Sequence, residues 1–166
     1  WELLSAWVAL TPVNSKSGCI QVIPGSHKGG VFPVEYTEVD PTNLLASGQR
    51  TLYEFDEAKA IRMHLQPGEM SVHHVCLVHS SKPNLSSDRR MGLSAGYLPP
   101  HIRQTTQLKA TAMLVRGQDR YGNYLPNEKP PVAHDNPETI QRQEKAVELY
   151  RAKSIECGNQ TAWRLG

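Results

Sequence analysis

The sequence predicts a mainly β fold, a barrel or jelly roll followed by one C-terminal helix. Three observations carry this. Short runs of strand-type residues recur through the first two thirds of the chain and are separated by Gly/Pro turns. A stretch near the end changes to helical spacing and carries its own start signal. At 166 residues, the chain is long enough to bury one real core.

Taken in order, Leu3 to Leu10 is nearly all apolar and reads as a buried strand. Ile20 to Ile23 is a short run stopped by Pro24-Gly25. Residues 28 to 58 are mixed and polar, and read mainly as an insertion loop. Ala60 to Leu65 alternates before the Gln66-Pro67-Gly68 turn, and Met70 to Val78 reads as one longer strand. Met91 to Leu98 alternates again and ends at Pro99-Pro100, and Thr111 to Val115 is a further short apolar run. In the tail, Asn136 is an N-cap residue, Pro137 suits the first helical position and Glu138 the first turn. Ile140, Val147, Tyr150 and Ile155 then recur at helical spacing up to Gly158. These signals predict one domain over residues 1–166, divided into a β core (1–116), a loop (117–136) and a helix (137–157). Because the chain opens in mid-strand, it reads as the C-terminal part of a larger domain.

Composition removes several function classes. A net charge of +2 with no basic stripe argues against nucleic acid as a partner. No apolar run reaches the length of a membrane span. Cys19, Cys76 and Cys157 are widely spaced and form no CxxC pair, so they read as reduced thiols of a cytoplasmic protein rather than a disulfide framework or zinc ribbon.

The chemistry concentrates between Pro67 and Tyr97. On an extended strand Arg90, Gly92, Ser94 and Gly96 share one face, and Met91, Leu93, Ala95 and Tyr97 share the other. The second face reads as core. The first sets one long cation above three tiny side chains, and a guanidinium fork there matches a carboxylate in two-point contact. A solvent-facing arginine is the competing interpretation of the same face. His79 ends an apolar run at the lip of a polar turn, where an imidazole is either a hydrogen-bonded structural group or a metal ligand. His73 and His74 point to opposite sides of their strand. On one extended strand His73 stands about 20 Å from His79, too far to share a site with it.

Blocks in register link these residues. Ser5-Ala-Trp7-Val-Ala-Leu, Gly18-Cys-Ile-Gln-Val-Ile-Pro24-Gly25-Ser26-His27-Lys28, Pro67-Gly68-Glu69 leading to His79-Ser-Ser81, and Asn84 to Arg90 closely resemble the phytanoyl-CoA dioxygenase family over about residues 5 to 98. Leu114-Val-Arg-Gly117 and Tyr121-Gly122 are similar to the tail of bacterial members. The resemblance implies a double-stranded β-helix, the jelly-roll core of Fe(II)- and 2-oxoglutarate-dependent oxygenases, here incomplete at its N-terminal side. It implies iron held by two histidines and a carboxylate, with positions left open for 2-oxoglutarate and dioxygen. It places the distal iron-binding histidine on His79, the arginine for the far carboxylate of 2-oxoglutarate on Arg90, an assisting hydroxyl on Ser81 and a pocket-lining tryptophan on Trp7. His74 matches a family histidine that is not a ligand, and Pro24-Gly-Ser-His27 matches a structural turn. No residue is assigned as catalytic in its own right.

The family's His-x-Asp motif has no counterpart in these 166 residues; His134-Asp135 lacks the spacer. One imidazole is a poor iron site, so the chain alone is expected to be inactive and the remaining ligands to lie upstream. The implied activity is hydroxylation of a small organic molecule with dioxygen as co-reactant. A non-catalytic cupin-type jelly-roll module and a halogenating relative, in which a small residue replaces the iron-binding carboxylate, are the alternatives. Residues 28 to 58, about 100 to 110 and the part expected upstream are the loops that would choose the substrate; the polar turn Gln104-Thr-Thr-Gln107 reads as an ordinary loop in preference to the lining of a substrate mouth.

Overall fold

The computed structural model describes residues 2–36, 49–125 and 136–156. Two compact units divide the chain. The first comprises Trp1–Glu35 and Arg50–Pro99, and the second Tyr36–Gln49 and Pro100–Gly166.

The first unit is β structure. Strands β1 (Leu4–Ala9), β6 (Met70–His74) and β8 (Gly92–Tyr97) form an antiparallel sheet in the order β6-β1-β8. Strands β2 (Ile20–Val22), β5 (Ile61–Arg62) and β7 (His79–Ser81) form a second antiparallel sheet in the order β5-β2-β7. From β5 onward the chain alternates between the sheets. A third, two-stranded ladder joins β3 (Val34–Tyr36) to β4 (Gln49–Thr51). This ladder and two 3-10 turns, Ser26–Gly29 and Glu57–Lys59, lie largely inside the segment expected to be loop. The strands are too short to show an alternating pattern in sequence. An Arg50–Glu35 ion pair and ring contacts of Tyr53 with Phe32 and Phe55 stand beside them. Residues 37–48 lie outside the described residues.

The core sits where the first sheet meets the loop leading to the second. Ala9, Val13 and Cys19 are buried there, with Trp7 and Leu65 packed against them. Val13 and Leu65 exchange both backbone hydrogen bonds, at 2.8 and 3.0 Å. The Pro24–His27 turn ties the second sheet together, in keeping with its structural reading. Gly25 takes φ 80°, which favours glycine. The buried Ser26 hydroxyl donates to the Ile23 carbonyl and accepts from Val78 N–H, each at 2.8 Å.

Two strand expectations are corrected here. Met70 to Val78 is not one strand. β6 stops at His74 and a turn over Val75–Leu77 carries the chain to the other sheet before β7 begins. The turn contains no Gly or Pro. Leu77 N–H donates to the His74 carbonyl at 2.9 Å, and Cys76 N–H donates to His74 Nδ1 at 3.1 Å, so the histidine's own ring closes the turn. Burial in the first sheet also differs from expectation: β8 is largely exposed on both faces, and on the face read as core the small Ala6 is buried while the larger apolar residues are not. Met91, Leu93 and Tyr97, expected as core, are 47, 60 and 49% exposed. The opposite face carries buried Ser71, His73 and Ala9.

In the second unit, Thr111 to Val115 forms no strand; Thr111 makes a single parallel bridge to Leu125. Gln104, read as an ordinary loop residue, organises this region. Its Oε1 accepts from Ala110 N–H and from the Lys153 ammonium, and its Nε2 donates to the Asn123 carbonyl. Helix α1 (Pro137–Glu156) matches the prediction to within a residue. Asn136 caps it by accepting from Glu138 N–H at 2.9 Å and Thr139 N–H at 3.4 Å. His134, Asp135, Cys157 and Gly158 lie outside the described residues, and Cys19 and Cys76 are free thiols. Among the described residues, no helix is long and apolar enough to cross a membrane.

Candidate functional site

Register sets the composition of the site. Pairing of β1 with both neighbours puts Ser5, Trp7 and Ala9 on one face with Ser71 and His73 of β6 and Gly92, Ser94 and Gly96 of β8. The small residues therefore share one face, and Trp7 occupies the space beside Gly92. An ideal Cβ on Gly92 would stand 2.0 Å from Cζ2 of the Trp7 ring. The indole thus lies against bare backbone, and the Arg90 guanidinium sits over it at 5.5 Å from ring centroid to Cζ. Glycine at position 92 is required by this close approach rather than by backbone conformation.

The arrangement has a stability consequence. Gly92→Ala forces the indole off the strand, an overpacking cost of about 1–3 kcal/mol. A fall of several degrees in the melting temperature is expected, with loss of the Arg90–Trp7 stacking visible as a change in tryptophan emission. An unchanged melting curve and spectrum would show that the ring is free to move aside.

His79 opens β7 and is exposed. Its Nδ1 lies 2.7 Å from the Leu77 carbonyl oxygen. A carbonyl only accepts, so the neutral ring carries its proton on Nδ1 and directs the Nε2 lone pair outward. Metal-binding histidines are commonly held this way, with the second nitrogen donating to a carbonyl or carboxylate. Ser81 shares the face of His79 on β7, while Ser80 turns the other way and accepts from Gln21 Nε2 at 3.0 Å. Among the described residues Ser81 and Arg90 make no hydrogen bond to each other, and Arg90 has no ion-pair partner.

The structure brings together two histidines that the sequence reading separated. Because β6 ends at His74, the chain folds back and the rings of His73 and His79 stand 5.4 Å apart, centroid to centroid. The 20 Å separation assumed for one straight strand does not exist. His73 is 8% exposed, and its Nδ1 has no hydrogen-bond partner among the described residues. Burial, and secondarily the neighbouring His79, push its imidazole below the usual histidine value, so the ring is neutral at pH 7. His74 points the other way, as expected, and its ring lies 5.5 Å from that of His27. The one sequence signal for His73 was its alternation with Ser71 on a strand whose other side is Met70 and Val72.

Fit to a divalent metal is partial. His79 offers a free, correctly tautomerised nitrogen. Among the described residues, no group of three or more His, Cys, Asp or Glu could hold a metal ion.

Comparison with known proteins bears on the family of the chain. The chain is 30% identical to the peroxisomal phytanoyl-CoA dioxygenase of Homo sapiens over 98 residues, covering 57% of this chain and 28% of that protein. It is 27% identical to the probable alpha-ketoglutarate-dependent hypophosphite dioxygenase of Stutzerimonas stutzeri over 125 residues, covering 74% of this chain and 40% of that protein. The solved structure of apo ThoJ, described as a non-heme monooxygenase, superposes with a TM-score of 0.78 at 30% identity, over 96% of this chain and 54% of that one. The ThoJ–nickel complex gives 0.70 at 28% identity, over 97% and 53%. The chain spans about a third of the length of these curated relatives and about half that of ThoJ. The family model described as phytanoyl-CoA dioxygenase (PhyH) matches residues 2–92, more than half of the sequence, and the chain belongs to that family.

Proposed function

We propose that this chain is part of an Fe(II)- and 2-oxoglutarate-dependent dioxygenase that hydroxylates a small organic substrate. The observation that carries this reading is the presence, in one compact unit, of a metal-ready imidazole and a guanidinium with no ion-pair partner among the described residues. His79 has its Nε2 freed by the Leu77 carbonyl, and Arg90 is posed on Trp7 above a face of small residues. The alternation of the chain between two antiparallel sheets supports a double-stranded β-helix as the scaffold, with residues 1–166 as one part of that domain.

In this reading His79 holds the iron through Nε2, alongside ligands that are not among the described residues. Iron, when bound, supplies the oxidation of the 2-oxo acid by dioxygen, with succinate and carbon dioxide as products. Arg90 grips the far carboxylate of 2-oxoglutarate with its donor fork. Trp7 lies under that fork and walls the pocket. Ser81, two residues beyond His79 on the same face, donates a further hydrogen bond to the cosubstrate.

The test is succinate formation from 2-oxoglutarate with added Fe(II), run on the complete reading frame and on the 166-residue chain. Turnover in the complete protein and none in the short chain is the expected result. A complete protein that neither turns over nor binds 2-oxoglutarate would overturn the proposal and leave a non-catalytic jelly-roll module in its place.

A further inference from the structure

Strand β6 is inverted relative to an ordinary half-buried strand. Its outward residues, Met70 and Val72, are apolar and exposed at 60 and 54%, while its inward residues, Ser71 and His73, are polar and buried to 4 and 8% exposure. Antiparallel strands with one covered face normally do the reverse. Both inward residues also lack a partner: Ser71 Oγ and His73 Nδ1 make no hydrogen bond among the described residues. A buried polar atom left unpaired is destabilising, and native structures hold few of them without a reason.

Their placement supplies a reason. Ser71 is the register partner of Trp7, on which Arg90 stacks. His73 stands two residues further along, about 7 Å by strand rise, against the ring of His79. Ser71 thus stands level with the indole that carries the guanidinium, and His73 stands against the metal-ready imidazole, on one face of the sheet. Both can donate, and a carboxylate at neutral pH accepts only.

We infer that Ser71 and His73 are hydrogen-bonding residues for a bound 2-oxo diacid, lining its path from Arg90 to His79. The inference rests on the function proposed above and adds two residues to the pocket. The hydroxyl of Ser71 and an N–H of His73 donate to oxygens of the ligand. In the ligand-free protein they stabilise nothing.

The last point separates a ligand role from a structural one. Ser71→Ala and His73→Leu are made in the complete protein, loaded with Mn(II) so that no turnover occurs, with 2-oxoglutarate as the probe. The melting temperature without 2-oxoglutarate is expected to stay the same or rise in both variants. The dissociation constant for 2-oxoglutarate is expected to increase roughly tenfold in each, the effect of one hydrogen bond to a charged group. Its stabilising shift in melting temperature should shrink accordingly. His73→Gln, which keeps a donor, should recover part of the loss. Lowered melting temperatures with unchanged affinity would make both residues structural and overturn the inference. Wild-type protein that binds no 2-oxoglutarate would remove the proposed function as well. Wild-type binding that Arg90→Lys weakens and these two variants leave intact would remove this inference alone.

Discussion

His79→Ala in the complete protein is expected to abolish iron-dependent succinate formation and to weaken Mn(II) or Co(II) binding by at least ~100-fold. The magnitude follows from what the ring contributes. Changes to groups that merely orient a ligating histidine typically cost 10–100-fold in metal affinity, and removing the ligand itself exceeds that. The structure makes the experiment clean. The His79 side chain is exposed, and among the described residues its one hydrogen bond is to the carbonyl of Leu77, two residues away. The backbone pairing of β7 with β2 does not involve the ring. Loss of the imidazole should therefore change the metal-free melting curve by no more than about 0.5 kcal/mol, as for most exposed positions. Calorimetric titration of metal into both proteins reads the outcome. Metal affinity that survives in the variant would assign the site to other residues and leave His79 as the cap of a turn.

That turn marks the limit of what the sequence revealed. Strand β6 was legible within the apolar run from Met70, whereas β7 falls on His79-Ser-Ser81, read as the edge of a polar turn; helix α1 was legible because Asn136, Pro137 and Glu138 signal its start. The break between β6 and β7 was not. Turns are recognised by Gly, Pro, Asn or Asp, whereas Val75-Cys-Leu77 contains none, and the hydrogen bond that closes the turn comes from the His74 ring. One missed turn displaced His73 from His79 in the sequence reading. Burial was also misjudged. Apolar residues were assigned inward by the usual rule, but Met91, Leu93 and Tyr97 are exposed, and the face that carries buried Ser71 and His73 also holds glycine and serine beside Trp7. The resemblance had set Trp7, His79, Ser81 and Arg90 into one constellation. The structure brings Arg90 onto Trp7 and leaves Ser81 without a hydrogen bond to Arg90 among the described residues.

Arg90→Lys is expected to raise the dissociation constant for 2-oxoglutarate by about 10–100-fold while leaving metal binding at His79 unchanged. Lysine preserves the charge, so the loss isolates geometry. A guanidinium offers two parallel N–H donors to one carboxylate, whereas an ammonium on a flexible stem offers a point charge. Losing one hydrogen bond to a charged group costs about 1.5–3 kcal/mol, which is the stated range of affinity. The position of Arg90 sharpens the expectation. Its guanidinium sits over Trp7, which is itself pressed against Gly92, so the fork is placed before the ligand arrives. The shorter, unstacked lysine loses that placement. Titration of 2-oxoglutarate into the Mn(II)-loaded protein measures the change, and a separate metal titration confirms that the two ends of the pocket act independently. If the lysine variant bound 2-oxoglutarate as tightly as the wild type, the carboxylate would have to be held elsewhere, and Arg90 would return to its plainer role as a half-buried cation over a tryptophan.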